Sequence, residues 1–379
     1  MSKRSYMWGA CRNFRFCHPR SSRLWNSLCF IDYFEVNILL LDLWIPQAVM
    51  SRSPATTRAT TGTTQGDAFV MTVQDIAFVR YQVTDLDRME TFLLDFGLHR
   101  AARSEHALYM RAADTAHHVH VSELGPYNAT VGFGLHATDA ADLERLAAHL
   151  GVQVEDNPEP GGGRRVRFRD PDGFLVDVLH GAERHAPLPL RDPVAMNCGG
   201  ARQRLGTVVR LQPQPSGVLR LGHVALQVRD FPAMLAFYRD VLGFRESDTY
   251  WAGSEQNTIA AFMHCGLGEQ WTDHHTVALI SAQDGRSRFD HAAFEVLDVD
   301  DVVLGGEHLK ARGYAHSWGV GRHVQGSQIF DYWRDPFGNK IEHWTDGDLV
   351  NDSTPAGHAP MSPDELRQWA PPLTPEFFA

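Results

Sequence analysis

The chain repeats itself, and that repeat restricts its fold more than any other feature. Residues 74–97 read QDIAFVRYQVTDLDRMETFLLDFG, and residues 219–243 read LRLGHVALQVRDFPAMLAFYRDVLG. Each copy opens with a short strand-like run ending in Gln-Val. A turn with Asp85 or Asp230 follows, then an amphipathic helix. Its apolar face carries Met89, Phe92 and Phe96 in one copy, and Met234, Phe237 or Tyr238, and Val241 in the other. Gly97 and Gly243 stand where a helix C-terminal glycine is expected. A second strand-helix pair begins at Val131 in the first half and at His291 in the second. Both halves close with a strand, an Asp-Pro-x-Gly turn and a strand, from Val166 and from Ile329. Proline presets φ and glycine takes the conformation other residues resist, so this tetrapeptide predicts a hairpin. Each half is therefore strand, helix, strands, twice over, and the fold class is α+β.

The predicted organisation is a first module over 74–181, a linker rich in Pro, Arg and Gly over 182–217, a second module over 218–348 and a tail over 349–379. Residues 1–70 differ in composition, with eight Lys and Arg against four Asp and Glu, whereas the remainder holds 27 against 42. Their apolar run, Val36 to Ile45, is interrupted by Asp42 and is too short to span a bilayer. No clean apolar region follows the basic start, as a signal peptide requires. The expectation is a disordered extension ahead of a true start at Met50 or Met71, with a peripheral membrane anchor as the alternative. A net charge of −11 argues against a nucleic-acid partner. Five cysteines, three of them crowded at Cys11, Cys17 and Cys29, make no disulfide framework, which fits the cytoplasm. The strand edges expected of such a fold predict a homo-oligomer.

Aligning the copies shows where they diverge. Phe78 falls opposite His223, the vicinity of Gly132 opposite His291, and Asp177 opposite Glu342. Two neutral imidazoles and one carboxylate make a 2-His-1-carboxylate facial triad, which holds Fe(II) by one face and leaves the other open; Mn(II) suits the same donors. Phenylalanine cannot ligate a metal, so the first module is predicted to be metal-free. Singly, a strand histidine is usually a satisfied or solvated group, and a glutamate near a strand end a solvated one. The weight lies in their joint occurrence at corresponding points of three strands that the fold brings together.

This arrangement resembles the vicinal-oxygen-chelate fold: two glyoxalase/bleomycin-resistance-like modules, each of paired βαβββ units forming a half-barrel. The resemblance covers about 74–348. Within the second module, FMHC and HHTVAL ahead of His291, and GRHVQGSQIFDYWRDPFGNKIEHW after it, resemble the type I extradiol ring-cleaving dioxygenases of the catechol 2,3-dioxygenase kind. That resemblance implies His223, His291 and Glu342 as Fe(II) ligands and His275 as the acid-base residue, with His274 as the alternative. It implies Tyr332 as a hydrogen-bond donor to a substrate oxygen and His323 as a contact to the substrate from the other side. It also implies a catechol-type aromatic substrate, O2 and a ring-opened product. Each residue has an ordinary reading as well: His275 packed or facing water, Tyr332 filling the half-barrel, His323 in a loop. Many relatives carry Asn-Asp where Gln325 and Gly326 stand, which leaves the substrate preference open. Trp251, Trp271, Trp318 and Phe330 are candidates for an apolar ring pocket, with core packing expected of any single one. Two rivals stay open: a glyoxalase-like isomerase or α-keto-acid-dependent dioxygenase on the same fold, and a metal-free protein that sequesters an aromatic compound.

Overall fold

The computed structural model describes residues 69–374 and 377, so the expectations for the first seventy residues lie outside the described residues except at Phe69 and Val70. In the first half, β1 (Val73–Val83), α1 (Leu86–Phe96), β2 (His99–Arg103), β3 (Ala107–Arg111) and β4 (His120–Leu124) form one βαβββ unit. The next is β5 (Ala129–Ala137), α2 (Ala140–Leu150), β6 (Glu155–Asp156), β7 (Arg164–Arg169) and β8 (Leu175–His180). Together they make one eight-stranded sheet in the order β2-β3-β4-β1-β5-β8-β7-β6.

The second half begins with β9 (Val218–Val228), α3 (Phe231–Asp240), β10 (Phe244–Trp251), β11 (Thr258–Cys265), β12 (Thr272–Asp273) and β13 (Val277–Ser281). It continues with β14 (Arg288–Val296), α4 (Val299–Ala311), β15 (Ala315–Arg322), β16 (Ile329–Arg334) and β17 (Lys340–Thr345). Two short strands, β18 (Leu349–Val350) and β19 (Gly357–Pro360), end the series. The sheet order, β15-β16-β17-β14-β9-β13-β11-β10-β19, repeats that of the first half read backwards, with β19 added at one edge. The duplication read from sequence is thus a duplication of topology.

Local chemistry accounts for the helix ends. Among the described residues, all four α-helices start at an aspartate whose carboxylate accepts a backbone N–H three residues on: Asp85 from Arg88, Asp139 from Asp142, Asp230 from Ala233 and Asp298 from Asp301. Helix α1 ends on Gly97 at φ +114°, as expected. Helix α3 differs: Val241 caps it in right-handed conformation, and Gly243, at φ +76°, makes the turn into β10 instead. The two Asp-Pro-x-Gly turns close the β7–β8 and β16–β17 hairpins, with Gly173 and Gly338 at φ +95° and +92°.

One apolar cluster runs through both modules, joining Met89, Phe92 and Phe96 of α1 to Phe294 and Ile341 of the second sheet. Polar ties cross the same boundary. His343 Nε2 donates to the Phe96 carbonyl at 2.8 Å, Tyr238 donates to Asp170 at 3.0 Å and Tyr314 to Asp95 at 2.9 Å. The linker is pinned by Arg191 on Asp298 and Asp301. Among the described residues, no helix is long and apolar enough to cross a membrane.

Gly97 sits where the modules meet. A Cβ there would lie 2.1 Å from the Ser216 carbonyl oxygen, on a backbone already in the left-handed region. Gly97→Ala is expected to cost about 2–4 kcal/mol from strain and overpacking together, measured as a lowered urea midpoint.

Candidate metal centre

Sheet order turns scattered sequence positions into neighbours. Tyr332 on β16, Glu342 on β17, His291 on β14 and His223 on β9 lie on four adjacent strands, with His275 just ahead of the fifth, β13. Register does the rest. Tyr332 pairs with Glu342, Glu342 with Ala293, and Ala293 with His223, so these residues form one row across the sheet. His291, two residues before Ala293, projects from the same face.

His223 Nε2 and His291 Nε2 each lie 3.4 Å from the same Glu342 oxygen, Oε2. One ligand atom from each residue falls within 4.8 Å of the others, and no other such cluster of His, Cys, Asp or Glu occurs among the described residues. Three mutually cis ligands about 2.1 Å from one ion lie about 3 Å apart, so little movement is needed to bind one. Both Glu342 oxygens and His223 Nδ1 are buried without a hydrogen-bond partner. A buried, unsatisfied carboxylate is costly, and a divalent cation would satisfy it. Burial pushes the His223 imidazole below its ordinary pKa. Burial acts to raise the Glu342 carboxyl, but His223, His291 and His323 outweigh it and hold the group below the usual range. Neutral imidazoles and an ionised carboxylate are the forms that ligate. The donor set fits Fe(II) or Mn(II).

Behind the ligands, His291 Nδ1 donates to Asp290 at 2.7 Å, and Asp290 also accepts from Gln227 at 2.7 Å and Lys340 at 3.0 Å. This fixes the His291 tautomer with Nε2 facing Glu342. Asp290 and Lys340 were not singled out from the sequence, although a carboxylate beside a ligand histidine is a readable signal. His275 is buried with its ring centroid 4.1 Å from that of His223, and burial with the surrounding histidines drives its pKa well below the ordinary value.

His323 and Tyr332 lie together. His323 directly follows β15, the neighbour of the β16 strand that carries Tyr332, and His323 Nε2 is 3.0 Å from the Tyr332 hydroxyl. The Leu366 carbonyl, 2.7 Å from His323 Nδ1, holds the histidine proton there, so the Tyr332 hydroxyl donates to Nε2. Trp318 and Phe330 are core residues that pack on Tyr332, and Leu366, Ala370 and Leu373 of the tail cover the cluster. Nothing in the sequence marked that tail as a wall of this site. Trp251 is half-buried, whereas Trp271 is 62 % exposed and belongs to neither core nor pocket.

The first module occupies the same place with different chemistry. Its strands β1, β5 and β8 match β9, β14 and β17 in length and pairing, which sets Phe78 against His223, Gly132 against His291 and Asp177 against Glu342. At Gly132 a Cβ would lie 1.9 Å from the Leu175 carbonyl oxygen, so no ligand side chain fits. Asp177 is neutralised by Arg167 at 2.6 Å and Arg80 at 3.3 Å, and the Arg80 guanidinium lies over Phe78. Protein cations stand where the second module presents ligands.

The fold is a duplicated half-barrel architecture, and His223, His291 and Glu342 form a candidate metal site within it. The Glyoxalase/Bleomycin resistance protein/Dioxygenase superfamily matches over residues 75–178 and 220–343, and the chain belongs to that superfamily. Metapyrocatechase 2 of Cupriavidus necator is 34 % identical over 309 residues, spanning 81 % of this chain and 91 % of that protein. An iron-dependent extradiol dioxygenase of Rhodococcus jostii is 27 % identical, over 75 % of this chain and 93 % of that protein. Among solved structures, the Mn(II)-bound glyoxalase from Novosphingobium aromaticivorans superposes with a TM-score of 0.67 at 25 % identity, over 81 % of this chain and 94 % of that one.

Loading with Fe(II) at about 100 times its dissociation constant is expected to stabilise the protein by about 2.7 kcal/mol, read as a rise in Tm. Glu342→Ala should abolish both the metal content and that rise. Asp177→Ala should leave the metal content unchanged and destabilise the protein by about 3 kcal/mol, because it strands two arginines; calorimetry beside metal analysis separates the two effects.

Proposed function

We propose that the protein is an extradiol dioxygenase that opens the ring of a substituted catechol with O2, at one Fe(II), or Mn(II) in its place, held by His223, His291 and Glu342. The observation that carries this reading is the convergence of two histidine Nε2 atoms on one oxygen of a buried, unpartnered carboxylate. The ion would supply open coordination positions for both catechol oxygens and for O2, together with a net positive charge that favours the catecholate.

The chain's own groups supply the rest. His275, buried and neutral, takes a hydroxyl proton from the substrate and later returns it to oxygen. Tyr332 holds its hydroxyl beside the ligands, 5.2 Å between its ring centroid and that of His291, and can turn its proton from His323 to a substrate oxygen. Trp318, Phe330 and the tail exclude water from that side and offer an apolar surface to an aromatic ring. The catalytic module is the second; the first keeps the shared core intact. The sheet edge at β2 supports assembly as a homo-oligomer, and the free thiols of Cys198 and Cys265 support a cytoplasmic setting.

Similarity to a Mn(II)-bound glyoxalase gives an isomerase reading some support. Against it stands the first module, which presents no ligand where a site shared between modules would need one. Incubation with alkyl-, aryl- and carboxy-substituted catechols under air, with oxygen uptake and yellow ring-opened product as readouts, tests the proposal; turnover without oxygen consumption would favour the isomerase. His275→Ala is expected to retain iron and to slow ring opening by about a hundredfold or more. An unchanged rate in that variant would remove the acid-base role.

A further inference from the structure

The hydrogen bonds behind His275 carry a finer assignment, which rests on the reading of that residue as the acid-base group. His275 Nδ1 lies 3.1 Å from His274 Nδ1, and His274 Nε2 lies 2.7 Å from Asp248 Oδ2. His274 is buried and held by its backbone as well. Its carbonyl accepts from Ser247 Oγ at 2.5 Å, and its N–H donates to the Asp348 carbonyl at 3.0 Å. Gly326 packs against the same ring, where a Cβ would come 3.0 Å from Nδ1. The absence of a side chain at 326 leaves the ring room to face Asp248.

A neutral imidazole has one donor and one acceptor nitrogen, and an ionised carboxylate can only accept. Asp248 therefore draws the His274 proton to Nε2. His274 Nδ1 is left with a lone pair and accepts from His275, whose proton must then be on Nδ1. Nε2 of His275 is the bare nitrogen, and no hydrogen bond occupies it among the described residues. The opposite tautomer would place N–H at Nε2, which cannot accept a substrate proton.

We propose that Asp248, acting through His274, is a positioning residue that fixes the His275 tautomer and keeps Nε2 free as the proton acceptor. The same chain of bonds says where charge goes. When Nε2 gains a substrate proton, the Nδ1 proton can pass to His274 Nδ1. His275 is then neutral again, and the imidazolium is His274, with its Nε2–H still on Asp248. One proton enters, and one positive charge comes to rest beside a carboxylate instead of among the ligand histidines.

The first module is an internal control. Strand pairing aligns His117–His118 with His274–His275, and their Nδ1 atoms are again 3.0 Å apart. Both second strands bulge at the same place, after Arg100 and after Glu246, which sets Ala102 opposite Asp248. His117 packs on His185 instead of meeting a carboxylate. The half without ligands keeps the histidine pair and lacks the acid.

Asp248→Asn tests this while preserving shape, because an amide both donates and accepts and so loses the carboxylate's bias. Nitrogen NMR of iron-free, 15N-histidine-labelled protein, assigned by the signals lost in His275→Ala, should show His275 with a pyrrole-type Nδ1 and a pyridine-type Nε2. In Asp248→Asn the two signals should move toward a mixture of tautomers. In the iron-loaded enzyme the same variant should lower kcat by about ten- to a hundredfold, with KM and iron content unchanged, and should add nothing in a His275→Ala background. Three results would overturn the assignment: N–H on Nε2 in the wild type, an unaltered tautomer in Asp248→Asn, or an equal rate loss in both backgrounds. A wild type that shows the Nδ1–H tautomer yet opens no catechol would sink the dioxygenase reading and leave the Asp248 assignment standing.

Discussion

A carboxylate buried on the floor of a half-barrel has to be neutralised, and both halves of this protein are built around that requirement. Asp177 and Glu342 occupy equivalent positions, both almost fully buried. In the first module two arginine side chains meet the charge. In the second the carboxylate meets histidine nitrogens at 3.4 Å, which are hydrogen-bond and metal donors but not permanent cations. The same backbone thus yields a sealed structural half and a half that wants an ion. Removing solvent makes each choice expensive to reverse, since a buried charge without its partner costs several kcal/mol.

The division between the halves also explains why the first was retained. Its helix α1 packs into the single apolar cluster that both sheets share, and His343, one residue beyond Glu342, is hydrogen-bonded to the Phe96 carbonyl and stacked on the Phe96 ring. The Glu342 carboxylate is therefore held in place partly by packing from the first module. The geometry of the His223, His291 and Glu342 cluster in the second sheet depends on packing supplied by the first.

Three imidazoles of the candidate site are oriented by acceptors. Asp290 fixes His291, the Leu366 carbonyl fixes His323, and Asp248 reaches His275 through His274. Burial keeps His223, His275 and His323 neutral, so orientation of the lone pair, rather than loss of a proton to solvent, decides what each nitrogen can do. In this half-barrel lined with histidines, neighbouring acceptors assign the protons.

Much of this was legible in the linear sequence. Period-two alternation, the aspartate caps and the Asp-Pro-x-Gly turns are local signals, so the duplicated βαβββ order could be read directly. Comparison of one half with the other isolated His223, His291 and Glu342, because a duplicated sequence supplies its own reference. Asp248, Lys340, Arg80 and the tail residue Leu366 could not be recognised that way. Each acts on a residue that is distant in sequence and reached only through strand order or burial, and a charged or carbonyl group looks alike in solvent and in a sealed site. The sequence alone determined which residue types stand at matching points of two half-barrels. Tertiary structure alone decided which nitrogen of each histidine is free, because hydrogen-bond partners are set by where the chain folds back on itself.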